Sequence, residues 1–495
     1  MDAEANRLKT IFLFLRQGIS NRNLLRTDFL KTLKNEPGIR VVVFSPIGSD
    51  PEFRKELEAE NVCAEEWPRT KVGFWEKRLK NLKHCVWLAR PDSVTSRIKY
   101  RATRGWLRCR WDHLLGKVFS SLGVNESRIN GFELKLFKPH PSIASLYDQY
   151  RPDLVLFTRV FGTNVHVIKE AKRRGIRVVC LVESWDNLTS KGPMSVIPDR
   201  LVAWNAINKQ EACSLHQFRE EDVLIGGVPQ FDLYEDAHLF GSREDFLRRL
   251  NVDPKVKLIT YATCTEGNAT EEIETIECLY EAVQQGKIKR PCHLLLRLHP
   301  ISSPMLVNQY FSRFEGNPGI TVQRSGRPSR LHDGWDPTWS DMVELAQTLY
   351  HSDVLINIAS TITLDAAYLD TPIVCVAFDG NNRKKGYFES CRRIYDYSCW
   401  QNVLKTRGAR VASDLEETIQ WVNAYLDNPD LDSEGRERIK QEQAHFFDGK
   451  SAERMARIVL SELGIPQGKA LGQAWASAQP IGSHRAAMER GSDGS

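Results

Sequence analysis

Apolar residues along this chain fall into short runs separated by amphipathic spacers. Ile11–Leu15, Val41–Ser45, Leu154–Phe157, Val178–Val182, Arg200–Trp204 and Val223–Ile225 are rich in Val, Ile, Leu and Phe. Between them lie segments with apolar positions at helical spacing, at Arg22–Lys34, Asn164–Arg174 and Ala206–His216. Short apolar strands alternating with helices predict parallel βαβ units, because such strands are covered on both faces. Gly38, Gly175 and Gly227 punctuate the turns. After a polar stretch with a helix at Ser242–Leu250, the alternation restarts. Strands are predicted at Leu258–Ala262, Leu294–Leu298, Gly319–Val322, Val354–Ile358, Ile373–Ala377 and Arg410–Ala412. Helices are predicted at Ile273–Gln285, Met342–Leu349, Thr363–Leu369 and Leu415–Leu426, then a long pattern from Arg436 to Leu463 broken near Phe447-Asp448-Gly449. The fold class is α/β, with two Rossmann-like domains at 1–238 and 239–465. Residues 466–495, rich in Gly, Ala and Ser, read as a disordered tail.

The rhythm fails between residues 67 and 120, which read as a helical insertion in the first domain. Within 69–117, fourteen Lys or Arg stand against only Glu76, Asp92 and Asp112. Trp67, Trp75, Trp87, Trp106 and Trp111 lie in or beside this segment. Basic residues interleaved with tryptophans suit an anionic membrane surface. A solvated helical face is the plainer reading, and single-stranded nucleic acid ranks last.

Bulk composition adds limits. A chain of 495 residues with 41% hydrophobic and 26% charged residues is ordinary for a soluble protein of two or three domains. The net charge of +5 demands no nucleic-acid partner. The eleven cysteines are scattered without a Cys-x-x-Cys pair, as expected of reduced thiols. No apolar run approaches the twenty or so residues of a membrane span. The expected location is cytoplasmic, peripheral on the inner face of the membrane if the basic segment binds lipid.

The strongest chemical signal is Arg297-Leu298-His299-Pro300, where a buried strand ends and the chain must turn. Strand Val354–Ile358 ends in Ala359-Ser360-Thr361 and runs into a helix. In doubly wound sheets, ligands sit at the C-terminal strand ends. An arginine, a histidine and hydroxyls at a helix start suit an anion, read here as a diphosphate. The plainer alternatives are a strand-end histidine bonded to backbone and a serine N-cap. Asp365, one turn on, suits ribose hydroxyls, or simply the helix dipole. Thr263, Thr265 and Gly267 form a loop able to approach phosphates.

Two such domains facing a cleft describe the GT-B architecture, and the motifs go further. Arg297-Leu298-His299-Pro300, Asp341-Met342-Val343-Glu344-Leu345, Asp353-Val354-Leu355-Ile356, Ser360-Thr361 with Asp365, Leu369-to-Pro372 and Asp448-Gly449-Lys450-Ser451-Ala452-Glu453-Arg454 occur in a characteristic order. Over roughly residues 175–460 the chain resembles the CDP-glycerol glycerophosphotransferase family and related transferases of bacterial surface polymers. The resemblance implies that His299, Ser360 and Thr361 contact the phosphates of a nucleotide-diphosphate donor.

After strand Val178–Val182 that family has Trp-His-Gly-Thr, its histidine serving as base. Here Trp185 is followed by Asp186 and Asn187. Asp186 is therefore the expected general base, with Glu183 as runner-up and a turn-capping role as the plainer alternative. Arg16, Arg22, Arg159 and His166, which follow first-domain strands, are expected to bind an anionic or lipid-linked acceptor. No cofactor and no divalent ion are expected, since Asp430-Leu431-Asp432 lies in a polar turn. The leading expectation is a metal-independent glycosyltransferase moving a sugar from a nucleotide-sugar donor to a cell-surface glycan or lipid-linked acceptor. Alternatives are a CDP-glycerol-type glycerophosphotransferase, a non-hydrolysing nucleotide-sugar epimerase and a non-catalytic nucleotide-binding protein.

Overall fold

A computed structural model describes residues 7–68, 70–159, 161, 165–267, 271–380 and 385–467. The first sheet contains β1 (Lys9–Phe14), β2 (Ile39–Ser45), β3 (Val62–Glu66), β4 (Leu154–Phe157), β5 (Arg177–Leu181), β6 (Arg200–Ala203) and β7 (Val223–Ile225). Its order is β3-β2-β1-β4-β5-β6-β7, and every pairing is parallel. The second domain begins with β8 (Lys257–Ala262), β9 (Cys292–Arg297) and β10 (Ile320–Gln323). A short antiparallel ribbon follows, β11 (Arg327–Pro328) and β12 (Trp335–Asp336), before β13 (Val354–Asn357), β14 (Ile373–Val376) and β15 (Arg410–Ala412). The second sheet has the order β10-β9-β8-β13-β14-β15, again all parallel.

The strand order reverses twice, at β1/β4 and at β8/β13. Ile11 pairs with both Val41 and Leu154, and Tyr261 with both Leu296 and Ile356. Chains leaving neighbouring strands at such a point diverge, which opens a crevice at the C-terminal strand ends. Central strand residues such as Ile11, Phe12, Leu294 and Ile356 are wholly buried, because helices cover both faces.

Three features depart from the sequence pattern. The predicted helix Arg22–Lys34 is a π-helical turn, Asn21–Leu25, then a break and an α-helix, Asp28–Lys34. Thr27 caps the second piece by accepting from the Phe29 N–H. The break turns Arg26 toward the second domain. Second, β3 was not predicted, because its Val-Cys-Ala-Glu-Glu sequence lacks a long apolar run. Third, the insertion continues to Tyr150 as five helices, Phe74–Ala89, Val94–Arg104, Trp106–Ser121, Glu126–Leu136 and Pro141–Tyr150. The tail from 468 onward, Asn164 of the predicted helix and the loop residues 268–270 lie outside the described residues.

The chain then crosses back. Helix Ser433–Ala444 packs on helix Ile362–Tyr368 of the second domain, whereas helix Ser451–Glu462 packs on Asp28–Lys34 of the first. Between them His445 takes a positive φ of 69°. The Asp232 carboxylate accepts the Ser451 and Ala452 N–H groups at 2.9 and 2.7 Å, anchoring the returning helix start. Arg454 pairs with Asp448 and donates to the Gly226 carbonyl. The Asp448-to-Arg454 motif is thus a structural joint between the domains.

Candidate active site

A cavity of about 300 Å³ lies between the domains. The second domain supplies Thr263, Arg297, His299, Ser360, Thr361 and Asp365, and the first supplies Gln17 and Arg22. Most of the expected donor-binding residues therefore meet in one place, at the C-terminal ends of β8, β9 and β13.

His299 stands on the turn after β9. Its backbone N–H donates to Thr263 Oγ1 at 2.7 Å, and its Nδ1 accepts the Ile301 N–H at 3.2 Å. An Nδ1 that accepts leaves the ring proton on Nε2. Burial lowers the His299 pKa to about 4. The ring is therefore neutral near pH 7 and offers one Nε2–H to a ligand. Arg297 is buried, with a bond to Gln323 and an ion pair to Glu344 at 3.4 Å. Burial lowers its pKa too, but an arginine so placed stays a cation.

Across the cavity, β13 ends in a strained turn. Ala359 adopts a φ of 39°, in the left-handed region that disfavours a Cβ. Asn357 Oδ1 accepts the Ser360 N–H at 3.1 Å, and Tyr395 Oη accepts the Ala359 N–H at 3.2 Å. Helix Ile362–Tyr368 starts immediately, without a side-chain cap. Ser360 is thus not an N-cap, and the hydroxyls of Ser360 and Thr361 line the cavity. Asp365 is buried and accepts from Tyr234 Oη at 2.7 Å and Gln230 Nε2 at 3.1 Å. Burial raises its pKa.

Arg22, expected at an acceptor site, lines this cavity instead. It sits on the π-helical turn after β1 and donates to Gln230 and to Asn23 Oδ1. Burial lowers its pKa, opposed by Asp365, Tyr234 and Glu183. Asp333, which sequence reasoning missed, also lines the cavity. It lies in a turn of the β11–β12 ribbon, and both its oxygens accept the Gly18 N–H at 3.0 Å. Burial raises its pKa. The only sequence signal there was an Asp-Gly turn at 333–334.

Thr265 and Gly267 do not line the cavity; the Gly267 carbonyl accepts from Arg393 at 3.3 Å. Their loop is held from behind by Glu272, which accepts the Cys264 N–H at 2.9 Å with both oxygens. Burial raises the Glu272 pKa to about 8. This folded-state pKa exceeds the ordinary glutamate value. The stabilisation is therefore complete below the unfolded pKa and is lost as pH rises through about 8. We predict that Glu272→Gln flattens the fall in melting temperature as pH rises from the ordinary glutamate range to about 8; an unchanged fall would assign it to other groups.

The remaining first-domain candidates divide. Arg16 and Arg159 share a neighbouring cavity of about 170 Å³ with His332, Trp67 and Gln17. Arg159 donates to Gln17 Oε1 at 2.9 Å, and Gln17 lines both cavities. Burial and Arg159 together lower the Arg16 pKa. Glu183 lies behind this cavity, bound by Ser20 Oγ and by Thr158 Oγ1 at 3.4 Å, and burial raises its pKa. His166 is elsewhere. Its Nε2 meets both Glu76 oxygens at 2.8 and 2.9 Å, which ties the insertion to the sheet. Asp186 lines neither cavity. It accepts from Ser184 Oγ at 3.0 Å and from Ser190 Oγ, with Lys191 Nζ at 3.5 Å. Burial would raise its pKa, but Lys191, Lys99 and the two hydroxyls hold it well below the usual carboxylate range. A carboxylate so held is a poor proton acceptor. It is no side-chain N-cap either, since its oxygens bond side chains.

This geometry can be compared with known proteins. A family model described as CDP-glycerol:poly(glycerophosphate) glycerophosphotransferase matches residues 194–461. The chain belongs to this family. The matched range contains Arg297, His299, Ser360, Thr361 and Asp365, whereas Glu183 and Asp186 precede it. The teichoic acid ribitol-phosphate polymerase TarK of Staphylococcus aureus (strain NCTC 8325 / PS 47) is 22% identical over 242 residues. That match covers 48% of this chain and 40% of TarK, so the chain spans about two fifths of that relative's length. Among solved structures, S. aureus MnaA with UDP superposes with a TM-score of 0.54 at 11% identity, covering 93% of this chain and 98% of that one. The UDP-GlcNAc 2-epimerase of Neisseria meningitidis bound to UDP-GlcNAc gives 0.52 at 11% identity, covering 92% and 100%. These likenesses are of fold, the GT-B arrangement of two parallel α/β domains.

Proposed function

We propose that this family member is a transferase that takes a nucleotide-diphosphate donor into the interdomain cavity. It passes the activated group to a cell-surface glycan or lipid-linked acceptor whose anionic portion rests at Arg16 and Arg159. The observation that carries this reading is the convergence of Arg22, Arg297, His299 and the Ser360 and Thr361 hydroxyls on one cavity. Two guanidinium groups, an N–H donor and two hydroxyls match a diphosphate. Gln17 lines both cavities, which supports a reading with donor and acceptor side by side.

Family membership weights the transferred group toward a glycerol-phosphate type, ahead of the sugar ranked first from sequence. In that reaction an acceptor hydroxyl oxygen bonds the donor's β-phosphorus as the bond from that phosphorus to the bridging oxygen breaks. The nucleoside monophosphate leaves with the bridging oxygen and its electron pair. His299 Nε2–H donates to the departing phosphate, and the acceptor proton passes to a carboxylate. Asp333 suits that role better than Asp186, since it lines the cavity and burial raises its pKa. We predict that Asp333→Asn lowers kcat by about 10²-fold or more while donor affinity changes little. Unaltered kcat would remove Asp333 from the role.

Thermal-shift screening against CDP, UDP, GDP, dTDP and CMP tests the donor reading, since binding to the folded state raises its stability. One nucleotide is expected to stand out; stabilisation by none sinks the reading. Product analysis then separates the two transfers. A nucleoside monophosphate marks phosphoalditol transfer, and a diphosphate marks sugar transfer. We expect turnover to survive EDTA; loss restored by manganese would assign a metal to the reaction.

The insertion supports a membrane partner. Trp75, Trp106, Leu107, Trp111 and Leu122 are exposed, several by about half to two thirds of their surface. Among the described residues no helix is long and apolar enough to cross a membrane. Exposed aromatics beside basic residues suit the interfacial zone of an anionic bilayer. Flotation with anionic vesicles is the check, and Trp111→Ser is expected to weaken it.

A further inference from the structure

Between the insertion and the rest of the first domain lies a third cavity, of about 800 Å³, which shares no residue with the two cavities of the cleft. It lies among helices Phe74–Ala89, Val94–Arg104 and Trp106–Ser121, with Lys191, Pro193 and Ser195 closing one side. Part of its lining is a buried, balanced network. Lys83 and Lys169 both reach Glu133, at 3.0 and 2.8 Å, and Lys169 also reaches Glu76 at 2.6 Å. The remaining charged lining is different. Lys80, Arg104, Arg108 and Lys191 all line the cavity, and among the described residues its only carboxylates, Glu76 and Glu133, are taken by Lys83, Lys169 and His166.

Two of these cations have no counter-charge. Among the described residues, neither Lys80 nor Arg104 comes within 4 Å of a carboxylate. Arg108 shares Asp112, at 2.8 Å, with the Tyr100 hydroxyl, and Lys191 lies 3.5 Å from Asp186. His84 Nε2 is buried without a hydrogen-bond partner, its ring against Tyr100 at 4.6 Å. Burial lowers the Lys80 pKa. Like charges gathered on one concave surface repel one another, and a bound anion would offset that repulsion.

We propose that this cavity is a phosphate-binding site, with Lys80, Arg104, Arg108 and Lys191 as cationic partners and His84 as a hydrogen-bonding one. Four cations facing one space match a phosphate monoester or diphosphate better than a single carboxylate. Extended nucleic acid would need a groove with open stacking faces, whereas Tyr100 is tied to Asp112 and His84. Two sources present this chemistry, a lipid headgroup and a soluble phosphate. The helix that carries Arg108 also carries the exposed Trp106 and Trp111, which favours the headgroup.

The test uses the full chain and inorganic pyrophosphate in calorimetric titration. Wild type is expected to bind at two separable sites, one here and one in the cleft. The double variant Lys80→Gln/Arg104→Gln should lose one and keep the other, and His299→Ala/Arg22→Gln should lose the opposite one. Neither Lys80 nor Arg104 holds an ion pair among the described residues, so matching melting curves are expected for the first variant. Unchanged stoichiometry in Lys80→Gln/Arg104→Gln overturns the proposal, as does wild-type binding confined to the cleft site. Wild-type binding confined to the insertion cavity would overturn the donor reading and leave this one standing. Flotation with phosphatidylcholine vesicles containing phosphatidic acid identifies the source. A fall of roughly tenfold or more in the variant assigns the site to a headgroup; retained flotation with lost pyrophosphate binding assigns it to a soluble phosphate.

Discussion

Replacing His299 with alanine is expected to lower kcat by about 10²–10³-fold, the usual cost of removing one transition-state donor. Donor affinity should change far less. The tautomer decides this. Nδ1 accepts the Ile301 N–H at 3.2 Å, so Nε2 carries the proton. With a pKa near 4 the free enzyme presents a neutral donor at pH 7. A neutral N–H gains most where charge develops, on the departing phosphate. His299→Gln, which keeps an N–H donor, should recover part of the loss. The sign of the pH dependence also follows. In the free enzyme the ring gains a proton only as pH falls toward 4, so an acidic limb of kcat/KM near 6 to 7 must come from another group. Equal losses in kcat and donor affinity would make His299 a ground-state contact, and full activity in His299→Ala would remove it from the site.

The second large effect concerns the ribbon that joins the domains. Arg26 forks onto both Asp336 oxygens at 2.7 and 2.8 Å, holds Glu56 at 2.8 Å and donates to the Pro337 carbonyl. The Arg26 and Asp336 side chains are only 6% and 2% exposed. Burial alone would lower the Arg26 pKa, but Glu56 and Asp336 raise it above its ordinary value. Asn21 and Arg327 also bond Asp336. Asp336→Ala therefore removes the bidentate anion from the buried Arg26, leaving it Glu56 alone, and about 3 kcal/mol of stability should be lost. The cleft wall goes with it, since Trp335 and Pro337 line the donor cavity. Chemical denaturation measures the first effect and nucleotide titration the second. A loss below about 1 kcal/mol would show the pair to be solvent-screened. Gly18 belongs to the same joint. A Cβ there would meet the Trp335 carbonyl at 2.3 Å, so Gly18→Ala should push the ribbon away.

The second-domain wall of the interdomain cavity was legible because it is local. Arg297 and His299 leave β9, and Ser360 and Thr361 leave β13, each within a few residues of a strand end. Once the alternation of strands and helices is seen, topology brings those ends together. Arg22 and Asp333 were not legible as donor-cavity residues, because their positions depend on a contact between domains. Asp186 was misleading for a related reason. Its place after a strand suggested catalysis, but its partners Ser190, Lys191 and Lys99 come from its own turn and from the insertion, and they turn it away from the cleft. The insertion was visible as a break in rhythm and an excess of charge. Its concave face was not, because helix packing decides which cations share a cavity.

The sequence by itself determined two parallel α/β domains, the basic insertion and the strand-end residues that form the second-domain wall of the interdomain cavity. Those properties follow from hydrophobic periodicity and from chemistry placed at strand ends, both of which are local. Only the tertiary structure decided that Arg22 joins the interdomain cavity, that Arg16 and Arg159 share the neighbouring one, and that the last helix returns to the first domain. Each of these depends on which buried charges and N–H groups find partners hundreds of residues away, and burial makes an unmatched group costly enough to fix the choice.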